Sequence, residues 1–314
     1  MRAVLATLAR LEPVSIRRIS RAVALPVPIV ASVCGELRKR SVVAEERPAR
    51  LTPAGRSLFS RDRLAIGRSA TCPTCRGRGP VISEELRSVV AAIARGTRSA
   101  PPPRFELDQC HCTVDTKLRR VLALHEADAL VGRRILLLGD DDLTCVAIRS
   151  VVRRFGVGPT IGRLAVLDVD PAVVLFARAA LAGSPFPVSC VEHDLREPLP
   201  PELVRGFDTV VTDPPYTVAA ARLFLSRAAR ALEDGGDVFF SFGSRRPGAA
   251  FEVQRTLAGM GFVIHRLVRD FNEYVGAGVL GGTSHLYHLT ATREVRPLVE
   301  GVFQGPLYTA AATR

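Results

Sequence analysis

Segments with the apolar character of β-strands alternate with helical patterns in the C-terminal two-thirds of the chain. Each of the first five strand-like segments is short and ends in Gly or Asp, and most precede a segment with apolar residues at helical spacing. These predicted strands lie at 133–139, 163–168, 187–194, 207–213 and 237–243. Because parallel strands need crossover connections of this length, the pattern predicts a doubly wound α/β domain with helices on both faces of its sheet.

The last two predicted strands, 262–269 and 285–293, have no full helix between them. We therefore expect an antiparallel pair at one edge of the sheet and seven strands in all. The order and spacing of the elements are similar to the seven-stranded, Rossmann-like fold of S-adenosylmethionine-dependent transferases. We predict that fold for residues 113–314.

Length and composition exclude several classes of protein. A chain of 314 residues with 47% hydrophobic and 24% charged residues is long enough for two domains and is not disordered. The longest apolar stretch, 22–34, is broken by Pro26 and Pro28 and is shorter than the ~20 residues of a membrane span. The first ten residues lack a signal-peptide core, and the seven cysteines are odd in number. We expect a cytoplasmic protein with no membrane partner.

The net charge of +12 is concentrated at one end of the chain. Residues 1–104 contain 20 Lys or Arg against 7 Asp or Glu, whereas the remaining 210 residues contain 23 against 24. A basic segment joined to a neutral one indicates an anionic partner for the first part only. It places no restriction on the substrate of the second part.

Residues 1–60 have the pattern of a winged helix. The three predicted helices lie at 2–10, 15–23 and 29–40, and a two-stranded wing follows. If the domain bound DNA, Arg38, Lys39 and Arg40 of the third helix would lie near phosphates. That helix carries no Asn or Gln to read bases. We therefore favour a packing or dimerisation module of a homodimer over a nucleic-acid-binding module, which remains the alternative.

Residues 61–112 are predicted to connect the two domains, and they contain two cysteine pairs. Cys72 and Cys75 form a CxxC pair followed by glycines, and Cys110 and Cys112 form a CxC pair. Four thiolates in two close pairs can complete a tetrahedral zinc shell. A structural zinc site is one interpretation, and four reduced thiols without metal is the other.

Acidic residues stand at the carboxyl ends of the predicted strands, where doubly wound sheets bind ligands. Asp168 is suited to accept hydrogen bonds from ribose hydroxyls, and Asp194 from the amine of adenine. Asp170 and Asp194 are also suited to cap helices, which is the structural alternative. We expect Gly139, Asp168, Asp170, Asp194 and Asp213 to contact a nucleoside-containing donor.

Three consecutive carboxylates, Asp140, Asp141 and Asp142, follow Gly139 after the first strand. Like charges this close destabilise the folded chain unless cations neutralise them, since unit charges ~4 Å apart interact by ~4 kcal/mol at an effective dielectric of 20. They would repel a donor with a carboxylate and attract one that has lost it. Asp142 could cap the next helix, but one cap does not explain three carboxylates, so we predict a catalytic role.

The fourth predicted strand ends in the tetrapeptide Asp213-Pro214-Pro215-Tyr216. This sequence is typical of enzymes that transfer a group to an amine nitrogen. The carboxylate and a proline carbonyl can accept hydrogen bonds from the amine, and the tyrosine ring can face a base or a cation. We predict that these four residues bind the acceptor.

Taken together, the GDDDLT, DPPYT and HDLREPLP segments and the N-terminal domain resemble the branched-chain polyamine synthases, the bis(aminopropyl)spermidine synthases of thermophilic archaea and bacteria. The resemblance is strongest from about Asp108 to Tyr216. It implies that decarboxylated S-adenosylmethionine is the aminopropyl donor, that a polyamine such as spermidine is the acceptor, and that the three aspartates are catalytic. FNEY (271–274) and GGTSHLY (281–287) could help to close the acceptor site.

Other functions remain open at this point. A DNA or RNA amino-methyltransferase would also use DPPY, but such enzymes carry a glycine-rich first loop and a basic surface that the C-terminal part lacks. A regulator with a degenerate transferase domain is a third hypothesis, and the intact aspartate loop and DPPY weigh against it. In the favoured mechanism Asp142 or Asp141 orients the acceptor amine and stabilises its charge.

Overall fold

The computed structural model describes residues 1–23, 25–58, 72, 74, 75, 77–156, 161–243, 247–276 and 282–309. The chain forms two compact units. The N-terminal unit comprises residues 1–77 and 276–283, and the C-terminal unit comprises residues 78–275 and 284–314. This division differs from the predicted boundaries at residues 60 and 112. The reason is that the helix with Val89 and Ile93, within the expected connector, packs in the core of the C-terminal unit.

Among its described residues, the N-terminal unit contains four α-helices and short antiparallel pairings. The helices are α1 (Arg2–Leu11), α2 (Ile16–Val23), α3 (Val27–Lys39) and α4 (Pro53–Ser57). Isolated bridges join Val14 to Ala49 and Val43 to Leu51. Three helices followed by paired extended segments are compatible with the predicted winged helix, which stays a prediction. No single helix among the described residues has both the length and the apolar composition of a membrane span, and α2 and α3 reach it only together, across a bend of 112°.

The C-terminal unit contains the remaining helices and all seven strands. In chain order they are α5 (Arg87–Gly96), α6 (Val114–Glu126), β1 (Arg134–Leu138), α7 (Thr144–Phe155), β2 (Arg163–Asp168), α8 (Pro171–Leu181), β3 (Val188–Glu192), β4 (Phe207–Thr212), α9 (Val218–Ala231), β5 (Leu232–Phe242), α10 (Pro247–Gly259), β6 (Phe262–Glu273) and β7 (Thr283–Ala291). One-turn 3₁₀ helices lie at Glu84–Leu86, Phe105–Leu107 and Pro201–Leu203.

The strands form one sheet in the order β3-β2-β1-β4-β5-β7-β6. Strands β1 to β5 pair in parallel, and β7 pairs with β5 antiparallel, Phe240 opposite Tyr287. The predicted seven-stranded α/β fold with an antiparallel edge is therefore confirmed. Strand β5 begins five residues before the predicted start, because a shift in its register with β4 takes in the polar segment after Leu232.

The sheet is covered on both faces. Alternate residues of β1 point to opposite sides, so that Ile135 and Leu137 join the core on the face of α5 to α8, and Leu136 and Leu138 join the core on the face of α9 and α10. All four side chains are buried, which explains why the strand is apolar without alternation. The acidic side chains lie beyond the carboxyl end of this strand, at Asp140, Asp141 and Asp142.

Candidate active site

The site is built around the loop that follows β1, at the centre of the sheet. Strand β1 lies between β2 and β4, where successive crossovers lead to opposite sides of the sheet. Doubly wound sheets bind ligands at this position. Gly139 begins the loop with φ +71°, a conformation that glycine adopts without strain, and its N–H donates to Leu167 O at 2.8 Å.

Asp140 is the member of the aspartate triplet whose carboxylate binds the backbone of the next helix. Its two carboxylate oxygens accept hydrogen bonds from the backbone N–H groups of Thr144 at 2.7 Å and Cys145 at 3.1 Å. It therefore caps the first turn of α7. Burial raises the pKa of Asp140 to about 6. The structural alternative, in which Asp142 caps this helix, does not hold, because Asp142 has other partners.

Asp142 is held from behind by helix α6. Its carboxylate lies 2.8 Å from Arg120 Nη1 and accepts a hydrogen bond from the backbone N–H of Cys112, while its carbonyl oxygen accepts one from Lys117 Nζ. Burial raises the pKa of Asp142, but the cations Arg120 and Lys117 outweigh it and lower this pKa to about 2. Asp142 thus belongs to a buried ion pair.

Asp141 is the member of the triplet that faces open space. It lines a cavity at the strand ends, whereas Asp140 and Asp142 do not. Its carboxylate accepts a hydrogen bond from Cys110 N at 3.2 Å. Burial, with the nearby charges of Asp142 and Asp168, raises the pKa of Asp141 well above its ordinary value. Asp141 and Asp142 were both candidates to orient the acceptor amine. In the structure Asp141 lines the cavity and Asp142 does not.

Asp168, at the end of β2, lines the same cavity. Its two oxygens accept hydrogen bonds from the N–H groups of Asp140 and Asp170, both at 2.9 Å, which fixes the carboxylate beside the loop. Asp170 does not line the cavity, and its expected donor contact is replaced by two structural bonds. It caps α8 through Ala172 N at 2.9 Å and accepts from Gln109 Nε2 at 3.2 Å. Gln109 lines the cavity in its place.

The segment after β3 contributes His193 and Asp194 to the cavity. Asp194 is paired with Arg196, whose Nη2 lies 2.5 Å from the carboxylate. Burial raises the pKa of Asp194, but its hydrogen bonds with Arg196 outweigh this effect and lower it. Among the described residues, His193 Nε2 is buried and has no hydrogen-bond partner. A buried, unsatisfied nitrogen at a cavity wall is suited to a polar ligand.

The C-terminal segment contributes Leu307 and Tyr308 to the lining of the cavity. Backbone and side chain of Thr309 donate to the carboxylate of Asp108 at 2.7 and 2.6 Å. These bonds tie the segment to the turn before Gln109. The side chain of Tyr308 thus faces the same space as the strand-end carboxylates.

Asp213, at the end of β4, lies at the centre of a polar network. Its carboxylate receives hydrogen bonds from Arg120 Nη2 at 2.6 Å, the Tyr274 hydroxyl at 2.6 Å and the Tyr216 hydroxyl at 2.9 Å. The Tyr274 hydroxyl also lies 2.9 Å from Ser284 Oγ. Burial raises the pKa of Asp213 to about 6, against the lowering effect of Arg120. Asp213 therefore lines the cavity while its carboxylate is held by hydrogen bonds within the protein.

The other DPPY residues take different positions. Pro215 lines the cavity, and its carbonyl accepts a hydrogen bond from Thr217 N at 2.8 Å, whereas Pro214 and Tyr216 are not among the lining residues. The Tyr216 ring packs edge-on against Phe242 at a centroid distance of 5.6 Å. Tyr216 therefore acts on Asp213 through its hydroxyl group, and the expected ring face toward a ligand is not seen.

The structure gives no support to the predicted zinc shell. Among the described residues, which include Cys72, Cys75, Cys110 and Cys112, no group of three or more His, Cys, Asp or Glu is placed to hold a metal ion. Cys112 is buried, and burial, followed by the charge of Asp142, raises the pKa of its thiol. The CxC segment instead supplies backbone N–H groups to the aspartate loop.

Comparison with known proteins shows the family of the chain. Residues 88–300 match the family model of the branched-chain polyamine synthase A C-terminal domain. The chain belongs to the branched-chain polyamine synthase family. The predicted family is thereby confirmed, and the protein is a transferase.

Two proteins of this family illustrate the similarity. The N(4)-bis(aminopropyl)spermidine synthase of Thermococcus kodakarensis is 32% identical over 265 residues, which cover 82% of this chain and 73% of the relative. The crystal structure of the branched-chain polyamine synthase of Thermus thermophilus, in complex with N4-aminopropylspermidine and 5′-methylthioadenosine, has a TM-score of 0.74 at 27% identity. The match covers 99% of this chain and 92% of the Thermus thermophilus chain.

Several residues of this branched-chain polyamine synthase site escaped the sequence-based prediction. They are Gln109, Lys117, Arg120, His193 and Tyr308. A signal was present for two of them: Lys117 and Arg120 are one turn apart in α6 and interrupt a face that is otherwise apolar. Tyr274 and Ser284 belong to the two late segments expected to help close the site, and both reach its polar network. Gly281, the first residue of the second segment, lies outside the described residues.

Proposed function

We propose that this chain transfers aminopropyl groups from decarboxylated S-adenosylmethionine to the secondary amine of spermidine or a related polyamine. The products are a branched polyamine and 5′-methylthioadenosine. The observation that carries this proposal is the charge of the cavity at the strand ends. Its lining contains four carboxylates, Asp141, Asp168, Asp194 and Asp213, and no Lys or Arg among the described residues.

The acidic lining favours a donor without a carboxylate. Decarboxylated S-adenosylmethionine carries a sulfonium and a terminal ammonium and no negative charge, so Asp141 and Asp213 attract it. The intact molecule adds a carboxylate that would lie in the same negative field. We assign the nucleoside to Asp168, Asp194 and His193. The unsatisfied His193 Nε2 supports this assignment, because a purine offers it a polar partner.

The reaction is a displacement at carbon. The lone pair of the acceptor nitrogen forms a bond to the methylene carbon next to the sulfonium, the C–S bond breaks, and its electron pair goes to sulfur. The leaving 5′-methylthioadenosine is a neutral sulfide. The acceptor nitrogen must give up a proton, and Asp141 is placed to take it because it lines the cavity and its pKa is raised by burial.

The remaining charges of the acceptor are stabilised by carboxylates. Polyamines carry ammonium groups on both sides of the secondary amine. Asp213 lines the cavity, and its pairing with Arg120 holds its carboxylate in place. A site of this kind stabilises positive charge that develops on the attacking nitrogen. Methyl transfer to a nucleic acid, the alternative considered from the sequence, would place phosphates against this acidic surface.

Incubation with either donor and a panel of polyamines, followed by mass spectrometry, tests the proposed function. We expect branched product and methylthioadenosine with the decarboxylated donor, and no methylated product with the intact one. Asp141→Asn is the matched control, because it removes one charge and leaves the size of the side chain nearly unchanged. Methyl transfer from intact S-adenosylmethionine, or no transfer to any polyamine, would overturn the proposal.

For the N-terminal unit we propose a packing role in a homodimer. Two of the three basic residues expected near phosphates have partners within the unit. Arg38 Nε donates to Ala44 O at 3.2 Å, and Lys39 Nζ lies 2.8 Å from Glu36 Oε1. Light scattering tests the dimer. A mobility-shift titration with duplex DNA and RNA tests the alternative, and salt-dependent binding would support it.

A further inference from the structure

Helix α6 brings two buried cations, Lys117 and Arg120, into contact with the aspartate loop. Lys117 and Arg120 are each 3% exposed and project one turn apart from the same face of the helix. A buried cation is strongly destabilising unless it is paired and hydrogen-bonded. Neither side chain lines the cavity and both contact the aspartate loop, so we look for their function in what they do to that loop.

The guanidinium of Arg120 connects two strand ends. Its Nη1 lies 2.8 Å from Asp142 and its Nη2 lies 2.6 Å from Asp213. Its Nε donates to Asn272 Oδ1 at 2.9 Å, and Asn272 is itself fixed through Ser284 Oγ at 2.8 Å. A planar guanidinium held at three nitrogens has one orientation, so it fixes the distance between the loop after β1 and the loop after β4.

We propose that Arg120 is a positioning residue for aminopropyl transfer: by keeping Asp142 and Asp213 charged and in place, it leaves Asp141 as the carboxylate that accepts the proton of the attacking amine. The proposal rests on the proposed function, since it concerns the proton released in that reaction. Arg120 itself does not line the cavity. It therefore acts through the two aspartates.

The contacts of the triplet separate the three carboxylates by role. Asp140 is bound to the first turn of α7, Asp142 is bound to Arg120, and Asp141 faces the cavity. The cations lower the pKa of Asp142 to about 2, whereas burial and the neighbouring charges raise that of Asp141. Neighbouring carboxylates whose environments separate their pKa values in this way divide the tasks of fixed charge and proton acceptor.

Arg120 affects the proton transfer that accompanies the reaction. The C–N bond forms, the C–S bond breaks with its electrons on sulfur, and one proton passes from nitrogen to the Asp141 carboxylate and then to solvent. Without Arg120, the buried carboxylates would lose their common counter-charge. The cluster would then hold a proton up to a higher pH, because interacting carboxylates titrate together.

The test is the pH dependence of kcat for Arg120→Met and Arg120→Lys. We expect Arg120→Met to move the rising limb of the profile to higher pH by at least about one unit, which is about a tenfold loss at a fixed pH on that limb. Arg120→Lys keeps the charge, so its limb should return toward that of the wild type with a lower maximum. The titration of the free polyamine is the same in all variants and cannot produce the shift.

Arg119→Met is the matched control. Arg119 is the adjacent buried arginine, its guanidinium carbon lies 5.7 Å from the centre of the Phe271 ring, and it has no described contact with the aspartate loop. We expect this variant to lose stability without a shift in the pH profile. If Arg120→Met lowers kcat but its profile superimposes on that of the wild type, Arg120 is only a structural residue and the proposal is wrong.

A second measurement does not depend on turnover. Infrared difference spectra of the complexes with 5′-methylthioadenosine should show an additional protonated carboxyl group at neutral pH in Arg120→Met, and none in Arg120→Met/Asp142→Asn, where the pair is removed together. The double variant also covers the case in which the single one fails to fold. No extra carboxyl band in Arg120→Met would contradict the proposal, whereas a wild type without any aminopropyl transfer would contradict the proposed function instead.

Discussion

Asp141 and Asp142 are neighbours in the chain, yet Asp141 lines the cavity while Asp142 does not and forms a buried ion pair with Arg120. The backbone N–H groups of Cys110 and Cys112 maintain this separation, since each donates to one of the two carboxylates. Two identical side chains thus have opposite environments.

Asp141→Asn should lower kcat by at least ~100-fold, because it removes the group that takes the proton. Binding of 5′-methylthioadenosine, measured by calorimetry, should change little. Asp140→Asn is the control, because Asn also caps helices and α7 keeps its first turn. Comparable losses in both variants would show that the two carboxylates share the catalytic function.

Asp142→Asn should reduce stability more than Asp141→Asn. Removing one partner of a buried ion pair costs about 3–5 kcal/mol, because the charge of Arg120 is left without half of its compensation. Chemical denaturation of the two variants measures the difference. A smaller loss for Asp142→Asn than for Asp141→Asn would mean that the Arg120 pair is not the main support of the loop.

Decarboxylated S-adenosylmethionine should bind more tightly than the intact molecule. The reason is the charge of Asp141 and Asp213 in the cavity, which repels the donor's carboxylate. Calorimetry with both compounds measures the ratio, and Asp141→Asn should reduce it. Equal affinities in the wild type would contradict this account of donor selection.

The ligand-free protein should become more stable between about pH 7 and pH 5. Burial raises the pKa of Asp140, Asp168 and Asp213 to about 6, above the ~3.9 of an unfolded chain. The folded state therefore binds protons more tightly, and this contribution is fully present below the unfolded pKa and is lost as pH rises through about 6. Thermal unfolding across this range measures it. A Tm that falls steadily toward pH 5 would oppose the prediction.

Tyr308→Ala should weaken binding of 5′-methylthioadenosine by about threefold to tenfold, because the ring forms one wall of the cavity. Tyr308→Phe keeps the ring and should bind nearly as the wild type. If both variants bind normally, the C-terminal segment is not part of the nucleoside site.

The fold and the family could be predicted from the sequence, because both depend on the order of elements and motifs along the chain. The alternation of apolar strands and helices predicted the seven-stranded sheet, and the acidic residues at strand ends indicated where the ligand site lies. The DPPY and GDDD segments carried the resemblance to polyamine synthases, which the family model confirms. The late segments with Tyr274 and Ser284 were also placed near the site on this basis.

The roles of individual carboxylates could not be read from the sequence. Asp140, Asp141 and Asp142 are chemically identical, and what separates them is contact with groups distant in the chain: Arg120 on α6 and the backbone of Cys110 and Cys112. The spacing of Cys110 and Cys112 was equally ambiguous, since it does not determine whether their thiols or their backbone N–H groups are used. The pattern along the chain determines which elements form and which ends meet, whereas the charge and exposure of each carboxylate are decided only when α6 packs beneath the loop and brings its two cations to one side of it.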